Sequence, residues 1–489
     1  MRLRDLARNL DVKGSVGDLD REILGIQYDS RLVAPGDLFC ASPGARTDGH
    51  RFCQEAQTRG ASAVLVNRVD AIPPSLPGIV VNDVRHAMAI ASDILFDSPS
   101  HQLWMIGITG TNGKTTVAHL TRTILEAAEV PCGLMGTIHS LIGHEAFSSV
   151  RTTPEAPDLQ RMLRYMIGRG MHAAVMEVSS QALALKRVVG VAYDVAVFTN
   201  LSQEHLDFHK DFEAYYQAKA QLFRSLTQEQ NKGPKAAVVN GDDPYGQRFA
   251  QESSVPVLTY GLSSDADIRG EQVKISCSGS EFTVVLANGC KQRVRLPMAG
   301  QFNVLNALAA ITVGYLMDID VQVMAAALCR SPGVPGRFER IDLGQPFTVI
   351  VDYAHTPAGL ENVLKTAREF TQGRVFVVFG CGGDRDHDKR AMMGQIAGRH
   401  ADWVVLTTDN PRSEDPAFIV SQIEQGVRAV NGHWTVQLDR EDAIRTAILR
   451  ARPGDVVMIV GKGHETYQIY NDTSLDFDDR EVARQVLRE

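Results

Sequence analysis

The chain has 489 residues, 44% hydrophobic and 22% charged, and 58 Asp+Glu against 50 Lys+Arg leave a formal net charge of −8. That length points to about three domains of ~100–200 residues rather than one core, and the charge disfavours a nonspecific nucleic-acid or anionic-membrane surface. Seven scattered cysteines give neither a disulfide framework nor a C-x-x-C zinc site, and there is neither a signal peptide nor an 18-residue apolar run, so a cytoplasmic protein with reduced thiols is expected.

From residue 23 to 97 short strands and helices alternate, with strands predicted at 63–66 and 78–81, and Ser98-Pro99-Ser100 marks a first boundary. Residues 104–108 then read as a buried strand and 117–127 as a helix. Between them lies Gly110-Thr111-Asn112-Gly113-Lys114-Thr115-Thr116. A glycine-rich turn between strand and helix lets backbone N–H groups and the helix dipole close around phosphate oxygens. Lys114 can then reach the terminal phosphates and the Thr115 hydroxyl can ligate Mg²⁺. The pattern departs from the general form in that Ile108 stands where its first glycine belongs. ATP or GTP binding is the expectation.

Apolar runs at 173–176, 195–198 and 236–239 alternate with helical stretches, which argues for a largely parallel sheet covered by helices. Residues 267–297 instead alternate apolar and polar, as in an antiparallel pair. Glu177, at the end of one run, suits a Mg²⁺- or water-positioning carboxylate; a helix N-terminal carboxylate is the plain alternative. His205 and His209 are four residues apart, but Glu204 precedes the first, so this is not the H-E-x-x-H zinc arrangement. His205 reads equally as a metal ligand or an ordinary histidine. Lys219, within a helical stretch at 215–223, reads by itself as solvated.

The Pro/Gly cluster 331–336 marks a second boundary. Strands are then expected at 347–351, 375–379, 403–407 and 456–460, each running into a polar loop. In open α/β sheets ligands sit outside the carboxyl ends of the strands. Arg385, after Gly382-Gly383-Asp384, and Arg412, after Asp409-Asn410-Pro411, suit a carboxylate or phosphate, or else a structural Arg–Asp pair. Gly461-Lys462-Gly463-His464 lacks the Ser or Thr of a phosphate loop.

Taken together these motifs resemble the ATP-dependent Mur ligases of bacterial cell-wall synthesis. The match is greatest to those that add the third peptide residue to UDP-N-acetylmuramoyl-L-alanyl-D-glutamate. The resemblance covers nearly the whole chain: Asp29-Ser30-Arg31, the phosphate loop, Arg151-Thr152-Thr153-Pro154, Met176-Glu177-Val178-Ser179-Ser180, and Asn200-Leu201-Ser202 with His205. It continues through Gly336-Arg337-Phe338-Glu339, Asp352-Tyr353-Ala354-His355-Thr356-Pro357, Gly382 to Asp386, Asp409-Asn410-Pro411-Arg412 and Gly461-Lys462-Gly463-His464-Glu465.

The resemblance implies a three-domain α/β fold. An N-terminal UDP-binding domain (1–98) is followed by a central domain (99–333) with a mostly parallel phosphate-loop sheet and a small antiparallel section, then a Rossmann-like C-terminal domain (334–489) that carries the amino acid. It implies that ATP phosphorylates the D-glutamate γ-carboxylate and that an amine attacks the acyl phosphate. ATP would lie against Gly110, Thr111, Asn112, Gly113, Lys114, Thr115, Thr116, Asn303, Arg337 and Asp352. Lys114, Lys219, Glu177 and His205 would be catalytic. Two Mg²⁺ ions would be held by Thr115, Glu177, His205 and Lys219, the last as a CO₂-derived carbamate. The UDP-sugar peptide would meet Ser30, Ala45, Arg46, Thr47, Thr152, Thr153, Ser179, Leu185 and Arg187.

Members whose recognition motif ends in arginine resemble the meso-diaminopimelate enzymes. The second carboxylate of that acceptor, which lysine lacks, would pair with Arg412 and Arg385. Asp409, Asn410, Pro411, Gly461 and Glu465 would complete the acceptor site. Departures from the family pattern are Gln181 for a frequent histidine, Leu185 for a polar contact, and Ala391 for a common proline. A monomer whose C-terminal domain closes before chemistry is expected, with no nucleic acid and no membrane insertion. The rivals are a lysine-adding or other sibling ligase, a folylpolyglutamate synthetase-like ligase, and a phosphate-loop switch that makes no amide.

Overall fold

Fully buried runs such as Ala63–Val66, Val375–Phe379 and Val456–Val460 can be satisfied only as interior strands covered on both faces. They assemble into three separate sheets. The computed structural model describes residues 1–44, 47–205, 208–227, 232–430 and 433–489. Among these no helix is long and apolar enough to cross a membrane.

The N-terminal sheet has five strands in the order Val12–Val16, Gly78–Val81, Ala63–Val66, Asp37–Cys40, Gly25–Gln27, all parallel except the first pair. Helix Val84–Leu95 covers it, started by the Asp83 side chain accepting from the His86 N–H.

The central sheet has eleven strands. Its parallel portion runs Ile268–Ser276, Val257–Gly261, Ala236–Asn240, Val195–Phe198, Trp104–Thr109, Ala173–Glu177, Cys132–Met135. The expected antiparallel section is Ile268–Ser276 with Gly279–Val285 and Lys291–Leu296. A second hairpin, His139–Ile142 with Glu145–Ser148, closes the opposite end. Its polar, partly exposed strands give no apolar run to read. Helices Lys114–Ala127, Gln301–Leu316 and Val321–Cys329 fill one face, and Ala156–Gly168 with Phe212–Arg224 fill the other. Gln301–Leu316 is apolar nearly all round, which matches its burial.

The third sheet runs Glu339–Ile341, Thr348–Asp352, Val456–Val460, Val375–Phe379, Trp403–Leu406, Trp434–Val436, parallel except for its first pair, with helices on both faces. The last parallel strand returns between the first two, so two loops distant in sequence emerge side by side. A small hairpin, Tyr467–Tyr470 with Thr473–Asp476, stands beside that edge. Several expected bounds shift by a residue or more, and three of the shifts bear on the site. The phosphate-loop helix starts at Lys114, which puts Thr115 and Thr116 in its first turn. Glu177 and Asp352 are the last residues of their strands. For Glu177 that decides against the helix-terminal reading.

Candidate functional site

The phosphate loop is shaped by close approach. Gly110 has φ +148° and Gly113 φ +87°, conformations that favour glycine. A Cβ at Gly110 would land on the Thr199 hydroxyl, and one at Gly113 on the Asn306 amide oxygen. Asn200 pins the loop from the next strand end: its Oδ1 accepts from the Asn112 N–H at 3.0 Å and its Nδ2 donates to the Asn112 carbonyl at 3.0 Å. The Thr199 hydroxyl donates to the same carbonyl at 2.7 Å. Lys114 Nζ curls over the turn onto the Gly110 and Thr111 carbonyls, at 2.9 and 2.8 Å.

Thr115 and Glu177 meet as expected. The Thr115 hydroxyl donates to Glu177 Oε2 at 2.9 Å, and Thr137 donates to the same carboxylate through its N–H (2.8 Å) and hydroxyl (2.9 Å). Arg337, from the start of the third domain, donates to the Thr115 hydroxyl at 3.1 Å and stacks its guanidinium 4.5 Å from the Tyr353 ring centre. His205 faces Glu204 (3.7 Å) and the Tyr215 ring, and His355 reaches Glu204 from the third domain at 3.4 Å. Burial alone would raise the Glu204 carboxyl. The hydrogen bond from His355 and the charges of His355, His205 and Lys114 outweigh it and hold the group at about 2.

Lys219 overturns its solvated reading. It is 1% exposed, donates to the Gly110 carbonyl at 2.7 Å and lies 4.6 Å from the Tyr215 ring centre. Burial, and then the Lys114 charge, push its ammonium well below the usual lysine range.

Of the residues expected to hold a UDP-sugar peptide, Ala45 and Arg46 lie outside the described residues. Thr47 turns its carbonyl onto the Gly44 N–H. Ser30, 6% exposed, donates to Glu55 at 2.9 Å. Thr152, Thr153 and Ser179 form a chain of short-range hydroxyl contacts leading to Glu177: Thr137 to Thr152 at 3.1 Å, Thr153 to the Glu177 carbonyl at 2.8 Å, Ser179 N–H to Thr153 at 3.0 Å. Arg187 pairs with buried Glu155 at 2.9 Å, beside Arg85 from the N-terminal domain at 3.3 Å. Leu185 ends the helix Ser180–Ala184 and is half-buried there.

Asn303 is 1% exposed and its amide returns to its own helix, donating to the Ala299 carbonyl at 2.8 Å and accepting from Asn306 at 3.2 Å. Asn306, one turn on, stands against the phosphate loop instead. Asp352 accepts from the Phe338 and Ala354 N–H groups at 2.6 and 2.7 Å, and burial raises its carboxyl.

On the third sheet the predicted strand-end loops converge. Gly461, at φ +114°, donates to the Asp352 carbonyl at 3.1 Å, and a Cβ there would meet Asp409 Oδ2 at 2.7 Å. Asn410 donates to Glu465 at 2.8 Å and accepts from Lys462, which also reaches Glu465 at 3.0 Å. The Pro411 carbonyl presses on Gly383, where a Cβ would strike it. Arg412, at φ +53°, donates to the Gly383 carbonyl at 2.7 Å. Arg385 is exposed and touches only the Asp384 carbonyl at 3.4 Å among its described hydrogen bonds. Among the described residues neither arginine forms a salt bridge, and Asp384 accepts from the Ser413 hydroxyl at 2.6 Å. No Arg–Asp ion pair therefore forms at either position, and the Arg412 guanidinium stands over Gly382 with the aliphatic stem of Arg385 beside it.

Sequence reasoning missed Thr137, Asn306, Glu204, Tyr353 and His355 as members of this site. Tyr353 and His355 stood within a quoted motif. Thr137 belongs to an unremarkable strand–loop junction and carried no signal.

Three family models match: the Mur ligase family catalytic domain over residues 22–93, the Mur ligase middle domain over 108–314, and the Mur ligase glutamate ligase domain over 336–463. The UDP-N-acetylmuramoyl-L-alanyl-D-glutamate--2,6-diaminopimelate ligase of Geobacillus thermodenitrificans is 46% identical over 96% of this chain and 95% of its own. The ligase of the same name from Syntrophomonas wolfei is 43% identical over 100% and 99%. A solved structure of a ligase of that name aligns with a TM-score of 0.71 at 33% identity, covering 100% of this chain and 99% of that one. A Mycobacterium tuberculosis folylpolyglutamate synthase complexed with ADP shares the fold at 19% identity, with a TM-score of 0.63 over 77% of this chain and 91% of that one.

Proposed function

This chain belongs to the Mur ligase family, and from that premise we propose that it joins meso-2,6-diaminopimelate to the D-glutamate γ-carboxylate of UDP-N-acetylmuramoyl-L-alanyl-D-glutamate. It is an ATP-dependent, amide-forming ligase of peptidoglycan precursor synthesis. The observation that carries the acceptor choice is Arg412 over Gly382, a guanidinium with no salt-bridge partner among the described residues, with exposed Arg385 on the facing loop. Lysine would leave such donors unpaired, and a site built to bind a polar group rejects the analogue lacking it by ~10⁴-fold or more.

A carboxylate is a poor acyl donor, so ATP converts its oxygen into a leaving group. Lys114 then moves from the Gly110 and Thr111 carbonyls onto the phosphates, where its charge counts most in the transition state. Gly113 presents its backbone N–H, the Asn112 N–H being taken by Asn200, and Arg337 adds a cation from the third domain. Thr115 and Glu177 are hard oxygen donors in contact, a set that suits Mg²⁺. Among the described residues no group of three or more His, Cys, Asp or Glu gathers as a metal cage. Few protein ligands accord with an ion that keeps waters and takes substrate phosphates. Thr115, Glu177 and His205 would hold it, and when bound it neutralises phosphate charge.

Lys219 would carry the carbamate, since an amine buried beside Lys114 is held toward the neutral form that combines with CO₂. Thr152, Thr153, Ser179, Ser30 and Arg187 would hold the UDP-sugar peptide. Asp409, Asn410, Gly461 and Glu465 would hold the amino-acid end of the acceptor. The same reading gives domains of 1–98, 99–333 and 334–489, a monomer in the cytoplasm, and closure of the third domain over ATP.

The test is phosphate release with ATP, Mg²⁺ and UDP-N-acetylmuramoyl-L-alanyl-D-glutamate, comparing meso-diaminopimelate with L-lysine. Release with diaminopimelate alone is expected. Preference for lysine overturns the arginine argument, and silence with both despite ATP binding reopens the sibling-ligase and switch readings.

A further inference from the structure

Arg440 and Asp479 form an ion pair with both side chains 0% exposed, Nε to Oδ1 at 2.7 Å and Nη2 to Oδ2 at 2.8 Å. Neither belongs to any motif quoted above. Arg440 is the first residue of helix Arg440–Arg450 and Asp479 the first of helix Asp479–Arg488. Such a pair is weak grounds for stability, because well-packed apolar residues of similar volume often serve as well. What apolar residues could not reproduce is where the remaining donors go. Nη1 donates to the Thr408 carbonyl at 3.2 Å and Nη2 to the Val460 carbonyl at 3.1 Å.

Those are the carbonyls immediately before Asp409 and Gly461. The peptide unit is planar, so fixing each oxygen fixes the direction of the next N–H and the course of the loop after it. The two strands are not neighbours, since Val375–Phe379 lies between them. One guanidinium therefore ties the starts of two loops across an intervening strand, behind the direct Asn410–Glu465 and Lys462–Asn410 bonds between them. Gln468 supports the first loop from the hairpin side, donating to the Asp409 carbonyl at 3.0 Å.

We propose that Arg440, oriented by Asp479, is a positioning residue for the amine acceptor, holding the Asp409–Arg412 and Gly461–Glu465 loops at the separation that meso-diaminopimelate requires. The proposal rests on the acceptor assignment above. A rigid planar fork is needed, because a lysine can pair with Asp479 but cannot span both carbonyls.

The test compares wild type with Arg440→Met/Asp479→Leu and with Arg440→Lys, measuring KM for each of the three substrates and thermal unfolding. The double variant is expected to fold with an unfolding temperature close to wild type, to raise KM for meso-diaminopimelate at least tenfold, and to leave KM for ATP and the UDP-sugar peptide within twofold. Arg440→Lys should raise the same KM about fivefold. An unchanged acceptor KM in a folded double variant overturns the proposal; if that variant does not fold, an unchanged acceptor KM in Arg440→Lys does so. Wild type that ignores diaminopimelate but uses another amine refutes the acceptor assignment instead, and the same comparison is then read on the amine it accepts.

Discussion

The edges of the central and third sheets solve recognition differently. On the central edge the candidate phosphate site is seven consecutive residues shaped by the conformations of Gly110 and Gly113. Most of its pinning contacts come from one neighbouring loop, Thr199 and Asn200, with Lys219 adding a bond to the Gly110 carbonyl. On the third edge the candidate acceptor site draws on residues 382–385, 409–412 and 461–465. These are braced by side chains that touch no substrate in our reading: Arg390 with Glu414, and Arg440 with Asp479. A phosphate can be held by backbone dipoles, which need only a conformation. A small amino acid must be read by side chains, and those need other side chains to hold them.

Breaking the central edge should have the largest effect. Lys114→Ala is expected to lower kcat for phosphate release by about 10³-fold, as loss of one preorganised charge-stabilising donor does, with the fold retained by circular dichroism. A loss of less than tenfold would remove Lys114 from the chemistry. Arg412→Ala should act on the other edge alone, raising KM for meso-diaminopimelate roughly 10–100-fold, since a charged hydrogen bond is worth about 1.5–3 kcal/mol. KM for ATP should stay within twofold, and an equal rise in both would show that the two edges do not separate.

Glu414 tests the bracing. Its hydrogen bond from Arg390 outweighs burial and lowers the carboxyl from 4.5 to about 2. A depressed carboxylate stabilises the fold fully above its unfolded pKa and loses that contribution as pH falls through the folded one. Glu414→Gln should therefore cost about 1–2 kcal/mol at pH 7, allowing for solvent screening. Denaturant titrations should show the deficit closing between pH 4.5 and 2, whereas a pH-independent deficit would mean the charge is irrelevant to the brace. The smallest effect is expected for Thr137→Ala, which removes one of the three hydrogen bonds described at the Glu177 carboxylate. That should cost ~1 kcal/mol, or about fivefold in kcat/KM for ATP. No change would leave Glu177 held by Thr115 and the backbone N–H of residue 137.

The same contrast governs what could be read in advance. The phosphate loop, the buried strands and Arg412 stood out because each is a local pattern. Lys219 did not: its own segment looks like any helix, and only burial against Gly110, 109 positions away, gives it an unusual amine. Arg440 and Asp479 are ordinary helix-start residues in sequence and become a fully buried pair only when two helices meet.

Sequence by itself determined the three-sheet α/β plan, the phosphate loop and the family, because strand runs, glycine turns and ordered motifs are written in consecutive residues. Tertiary structure alone decided that Arg337 reaches Thr115 across domains, that Lys219 is buried, and that one guanidinium donates to the carbonyls before two loops. Those facts depend on distances between residues far apart in the chain, which no local pattern encodes.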